Sequence, residues 1–140
     1  MVHLSVKILF LLFIMPYNIQ GCDHYEVHIH NNLPKNSPQL KLHCASGDDD
    51  LGYKYPGLGT DFNWSFCPNP STLFFCHFWW AGKDLRFDVF NNSRVCVRDG
   101  DRFVPAVTTK CQWQVQADGF YLGYFDDISG QLKFKKYRDW

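Results

Sequence analysis

The chain has 140 residues with 14 acidic and 14 basic side chains, so it carries no formal net charge at neutral pH. That balance excludes the basic footprint of a nucleic-acid-binding protein and gives no electrostatic reason to meet an anionic membrane or an acidic substrate. Aromatic residues make up 18% of the chain, enough apolar area for one well-filled core but not for two domains of ordinary size.

Met1 to Gly21 is expected to lie outside the fold. A weakly basic start (His3, Lys7) leads into an apolar run from Ile8 to Met15, then Pro16, a polar stretch and Gly21. The run is too short to span a bilayer, and the order of regions is that of a secretory signal peptide, with cleavage after Gly21. The mature chain, residues 22–140, is then one domain that is not membrane-inserted. All six cysteines (Cys22, Cys44, Cys67, Cys76, Cys96, Cys111) fall inside it. An even number of cysteines behind a signal peptide predicts disulfides in an extracellular protein. None of the pairs has the C-x-x-C spacing of a zinc site.

In the mature chain, strand signals recur at short spacing and helical ones do not. Tyr25, Val27 and Ile29 alternate with His24, Glu26, His28 and His30, as a half-buried strand requires. Turn residues follow at 31–36, and then Leu40, Leu42 and Cys44 share a face. The acidic run Asp48-Asp49-Asp50 and the Pro56–Gly59 segment read as loops. Phe62, Trp64 and Phe66 are expected inward, which leaves Asn63 outward. Asn63-Trp64-Ser65 and Asn91-Asn92-Ser93 are glycosylation sequons, whereas Asn69-Pro70-Ser71 is disqualified by its proline.

The densest apolar stretch, 71–90, reads as the central hairpin. Leu73–Trp80 is apolar at nearly every position, which suits a strand covered on both faces. A break at 81–84 is followed by Leu85, Phe87 and Val89 alternating with Arg86 and Asp88. Arg94–Val97 is a short strand candidate, 103–110 is ambiguous around Pro105, and strands are expected at 111–116, 119–122 and 131–135. About eight strands with turns every 8–12 residues or so predict an all-β antiparallel sandwich or barrel. Cys44, Cys76 and Cys111 fall on inward positions.

No motif of catalysis stands out: no G-x-S-x-G, no H-E-x-x-H and no phosphate loop. The chain is therefore not expected to be an enzyme or to carry a cofactor. His28 and His30, two apart on one strand face, invite a zinc or copper reading, but no carboxylate or cysteine obviously completes it. A solvated face with no metal is the expectation. The acidic run lacks the alternating ligands of a calcium loop. Tryptophans are expected to fill the core and not to stack on sugars, with Trp140 at the chain end either docked or loose.

Several blocks carry a resemblance. Val27-His28-Ile29-His30-Asn31-Asn32-Leu33, Leu40–Ser46, Asp48-Asp49-Asp50-Leu51-Gly52, Phe62–Asn69, Thr72-Leu73-Phe74-Phe75-Cys76 with Trp80 and Phe87-Asp88-Val89, and Cys111-Gln112-Trp113 with Asp118-Gly119 follow in order. Together they resemble the signature blocks of the plant self-incompatibility protein family, the S-protein homologues, over nearly the whole mature chain. The resemblance implies a small secreted disulfide-bonded β-sandwich. It also implies an extracellular signalling ligand, a monomer read by a cell-surface receptor, in pollen–pistil or other reproductive communication. It further implies the pairings Cys44–Cys111 and Cys76–Cys96. Cys22 and Cys67 depart from the family pattern, and a third bridge between them is the expectation. Receptor contacts are expected on loops, at Asp48, Asp49, Asp50, Lys54, Arg98, Asp99 and Asp101. The reading from a different class is a secreted carbohydrate-binding or antimicrobial defence protein.

Overall fold

The computed structural model describes residues 21–140; the signal-peptide reading of 1–21 lies, apart from Gly21, outside the described residues. Among the described residues nine strands form two sheets. They are β1 (Tyr25–Asn31), β2 (Lys41–Ala45), β3 (Asp50–Lys54), β4 (Asp61–Phe66), β5 (Phe74–Trp80), β6 (Lys83–Phe90), β7 (Lys110–Gln116), β8 (Gly119–Asp126) and β9 (Gln131–Arg138). The five-stranded sheet has the order β4-β1-β7-β8-β9 and the four-stranded sheet β3-β2-β5-β6. All neighbouring pairs are antiparallel except β1 and β7, which run side by side in parallel.

Alternation builds the core. Val27 and Ile29 from β1, Cys76 and Phe78 from β5, Phe87 and Val89 from β6, and Trp113 and Val115 from β7 all point between the sheets and are buried. Phe87 meets Trp113 and Phe120, and Phe78 meets Phe120, at centroid distances of 4.8–5.3 Å, within the range where aromatic pairs add to simple burial. The indole of Trp113 donates to the Val89 carbonyl at 3.0 Å, so its one polar atom is satisfied in the apolar layer. Trp140 is docked: its indole donates to the Gln116 carbonyl at 2.8 Å, and its ring packs on Phe120 and Trp80.

The hairpin at 74–90 turns on Ala81 and Gly82, both with positive φ (51° and 76°), as in the two-residue turns that match strand twist. β5 is not covered on both faces. Phe74, Cys76, Phe78 and Trp80 are buried while Phe75, His77 and Trp79 lie half-buried on an outer face. Lys41 and Tyr53 cover Trp79, Arg86 covers Phe75, and His77 stacks on Trp79, in place of a third layer.

Two other expectations are corrected. Arg94–Val97 is not a strand: the Asn92 side-chain oxygen accepts from the backbone of Arg94 and Val95, and Cys96 takes φ 72°. Conversely, Asp50 and Lys54, expected on loops, are the first and last residues of edge strand β3.

The bridges also differ from the inferred pairing. Cys22 is bonded to Cys67, the third bridge expected, but Cys44 is bonded to Cys76 and Cys96 to Cys111. Cys44 and Cys76 stand directly opposite each other on β2 and β5, with Cα atoms 4.1 Å apart. Cys111 belongs to the facing sheet. The 4.1 Å between the Cys44 and Cys76 Cα atoms puts the two sulfurs within bonding reach with no backbone movement. Cys44 therefore takes its neighbour within the sheet. Cys96 instead ties the long β6–β7 connection to the start of β7.

Candidate recognition surface

Strand direction sorts the loops into two ends. Where β1 begins, the sandwich gathers the Cys22–Cys67 bridge, the β2–β3 turn, the β4–β5 connection and the β8–β9 turn, and the β6–β7 connection leaves and returns there. The β1–β2, β3–β4, β5–β6 and β7–β8 connections lie at the opposite end. The residues expected to meet a receptor are thus not gathered in one place. Asp48, Asp49 and Asp50 lie at the first end, and Lys54 closes β3 toward the other. Arg98, Asp99 and Asp101 belong to a segment drawn along β9, where the Tyr137 hydroxyl donates to Asp99 at 3.2 Å. Burial first, and then the Asp99 charge, raises the Tyr137 pKa.

At the β2–β3 turn the three aspartates have different jobs. Ser46 Oγ accepts from the backbone N–H groups of Asp48 and Asp49. Asp50 accepts from the Gly52 N–H at 2.8 Å and from His43 Nε2 at 2.6 Å. Those two bonds, the Gly52 one first, hold the Asp50 carboxyl below its usual range. Asp50 therefore shapes the turn. The carboxylates of Asp48 and Asp49 have no side-chain hydrogen bond or ion pair among the described residues, and remain available to a partner.

The β8–β9 turn carries a feature that the sequence reading passed over. Ile128 at its tip is 98% exposed, and Phe125, Val107 and Leu132 are exposed around it. Phe125 and Leu132 pair across β8 and β9. A shallow cleft lined by Pro105, Val107, Tyr124, Phe125 and Ile128 separates this turn from the β6–β7 connection. The turn is braced from within. Lys133 Nζ lies 2.8 Å from Asp126, the Ser129 hydroxyl donates to the same carboxylate at 2.9 Å, and the Ile128 N–H donates to it at 3.2 Å. The lysine and serine bonds lead in lowering the Asp126 pKa to about 2. The only hint in the sequence is an isoleucine placed inside the polar run Asp126-Asp127-Ile128-Ser129-Gly130.

A third surface is the outer face of the four-stranded sheet. His77 stacks on Trp79 at 3.8 Å, Tyr53 packs on His43 and Trp79, and the Lys41 ammonium sits over both the Tyr53 and Trp79 rings. Of the two sequons, Asn63 is exposed on the outer face of β4. The Asn91 side-chain nitrogen, the atom a glycan would need, instead donates to Asp88, and its oxygen is buried without a partner.

The family profile described as plant self-incompatibility protein S1 matches residues 26–140. Three relatives from Arabidopsis thaliana frame the likeness. S-protein homolog 3 is 34% identical over 122 residues, covering 84% of this chain and 76% of its own. S-protein homolog 4 is 43% identical over 94 residues, covering 64% of this chain and 57% of its own. S-protein homolog 5 is 34% identical over 84 residues, covering 59% of each. The match therefore spans less than two thirds of the length of the latter two. No solved structure matches the chain.

Proposed function

The chain belongs to the plant self-incompatibility protein S1 family, and from that premise we propose that it is a secreted ligand read by a cell-surface receptor, acting by binding and not by catalysis. The observation that carries the reading is the β8–β9 turn, where an internally braced loop on a three-bridge scaffold holds an isoleucine almost fully in solvent. Exposed apolar side chains gathered in one place on a small monomer mark a protein contact, and a rigid loop loses little conformational freedom when it docks. Secretion, which three bridges in so small a domain favour, puts this surface where a receptor can meet it. Reproductive communication is the process that the family suggests. The test is to add the oxidised mature protein to reproductive and vegetative plant cells, record cytosolic calcium, and label the surface proteins it touches. Saturable binding that depends on Ile128 supports the ligand reading; its absence from every cell type overturns it.

One observation favours a second reading. Trp79, Tyr53 and Lys41 make an aromatic and cationic shelf on an open sheet face, the kind of surface on which sugars stack. Glycan-array binding lost in Trp79→Ala, with cell binding through Ile128 absent, would move the assignment to carbohydrate recognition.

A further inference from the structure

We propose that His28, His30 and Asp61 form a binding site for a divalent transition-metal ion, zinc foremost, on the outer face of the five-stranded sheet. His28 and His30 share that face because they lie two apart on β1. β4 pairs antiparallel with β1 and sets Asp61 directly opposite His30. This supplies a carboxylate to the Nδ1 side of His28, whose Nε2 is already taken by Glu26. One donor atom from each of the three side chains lies within 4.8 Å of the other two. Some point then lies within about 2.8 Å of all three atoms, and zinc takes nitrogen and oxygen ligands at about 2.0–2.2 Å. Side-chain adjustments of less than about 1 Å therefore close the site.

The surroundings are those of a metal site. His30 Nε2 lies 2.7 Å from the side-chain oxygen of Gln112, which is buried and can only accept. The ring proton is thereby fixed on Nε2 and the lone pair left on Nδ1. His28 Nε2 is held by Glu26 at 2.8 Å while Nδ1 faces Asp61 at 2.7 Å. An ion entering between Nδ1 and Asp61 displaces the proton that they share, which leaves to solvent, and Glu26 remains as the outer partner that orients the ring. Such carboxylate or amide partners on metal-bound imidazoles tune affinity by about 10–100-fold. Phe134 closes one side, edge-on to His30 at 6.0 Å. Three protein ligands leave a fourth position to water or to a partner's side chain.

Other clusters among the described residues do not meet these terms. Cys22, His24 and Cys67 lie together, but the two sulfurs are bonded to each other. His43 with Asp50 and His77 with Asp84 each bring one imidazole to one carboxylate.

The test titrates the oxidised mature protein with zinc chloride by calorimetry and with cobalt(II) by visible absorption. One ion per chain is expected, with cobalt bands of a four-coordinate site and weaker binding at about pH 5 than at about pH 7, because imidazoles must lose protons to ligate. His30→Ala and Asp61→Asn should each weaken binding by more than about tenfold, and Gln112→Leu by about tenfold. His43→Ala and His77→Ala should bind as the parent does. Should His30→Ala fail to fold by circular dichroism, copper(II) bound to the parent protein is read by paramagnetic resonance, where coupling to two nitrogens is expected. No binding, a stoichiometry other than one, coupling to fewer than two nitrogens, or loss of binding in the His43 or His77 variants would overturn the site.

Discussion

Two turns at the same end of the sandwich, β2–β3 and β8–β9, use an aspartate in the same way and display opposite chemistry. Asp50 and Asp126 each accept from the backbone N–H two residues on, and each is held by a cation or imidazole, Lys133 for one and His43 for the other. What the turns then expose differs: Asp48 and Asp49 in the first, Ile128 in the second. In both, the acid that looks most like a recognition element by position is structural, and the residue left free is its neighbour. An exposed aliphatic side chain has no role in its own fold, so Ile128 is the stronger candidate for a contact. Exposed carboxylates tend to steer a partner and not to anchor it.

The turns also differ in what lies beneath them. β2 is tied to β5 by Cys44–Cys76, whereas β8 and β9 carry no cysteine. Replacing both Cys44 and Cys76 by alanine should cost about 2–4 kcal/mol of stability, measured by denaturant unfolding. Amide exchange should rise along β2 and β3, while 126–133 keeps its protection. Equal loosening of both turns would mean that they are not independently supported. A smaller expected effect, on binding alone, is Ile128→Asp. A central apolar anchor is worth about 2 kcal/mol or more, so cell binding should fall by about thirtyfold or more with the melting temperature unchanged. Smaller again is the double charge reversal Asp48→Lys with Asp49→Lys. It should change the association rate by about threefold at low salt and much less at high salt. If the acidic reversal abolished binding and Ile128→Asp left it intact, the ranking of the two turns would be inverted.

Much of the fold was legible because it depends on local pattern. The alternation of β1, β4 and β7 and the Ala81-Gly82 turn can be read without knowing any partner. β3 was not legible: as an edge strand it packs little, and Gly52-Tyr53-Lys54 shows no apolar alternation. The pairing of the other four cysteines, unlike the Cys22–Cys67 bridge, was not legible either. Alternation says that Cys44, Cys76 and Cys111 point inward, but only the order of strands in a sheet says which two are neighbours. The same limit applied to His28 and His30, whose third companion, Asp61, arrives by a register between residues about thirty apart. At the candidate recognition surface the acidic run announced itself as charge. Ile128 did not, because exposure of a single aliphatic residue has no signature in sequence.

The smallest of the expected differences between the two turns is their response to acid. Asp126 has its pKa lowered to about 2, first by Lys133 and then by Ser129. A carboxylate whose pKa is depressed by folding contributes stability that is fully present above its unfolded value of 3.8 and is lost as the pH falls through the folded value. The β8–β9 turn should therefore stay ordered from neutral pH down to below about 3 and loosen near 2. At the alkaline end, Lys133 has its pKa raised above 10.5 by the same pair. Its contribution is complete below 10.5 and disappears only as the pH climbs through the raised value. Asp50 is also lowered, mainly by the Gly52 N–H and secondarily by His43, so the β2–β3 turn loses its contribution from Asp50 in the same acid direction. Backbone NMR through an acid titration follows both: Gly52 should shift only below the usual aspartate range, as Asp50 protonates, and Ile128 and Ser129 should not move until the pH approaches 2. Movement of Ile128 near pH 4 would mean that Lys133 does not brace the turn, and the rigid display of the isoleucine would have to be given up.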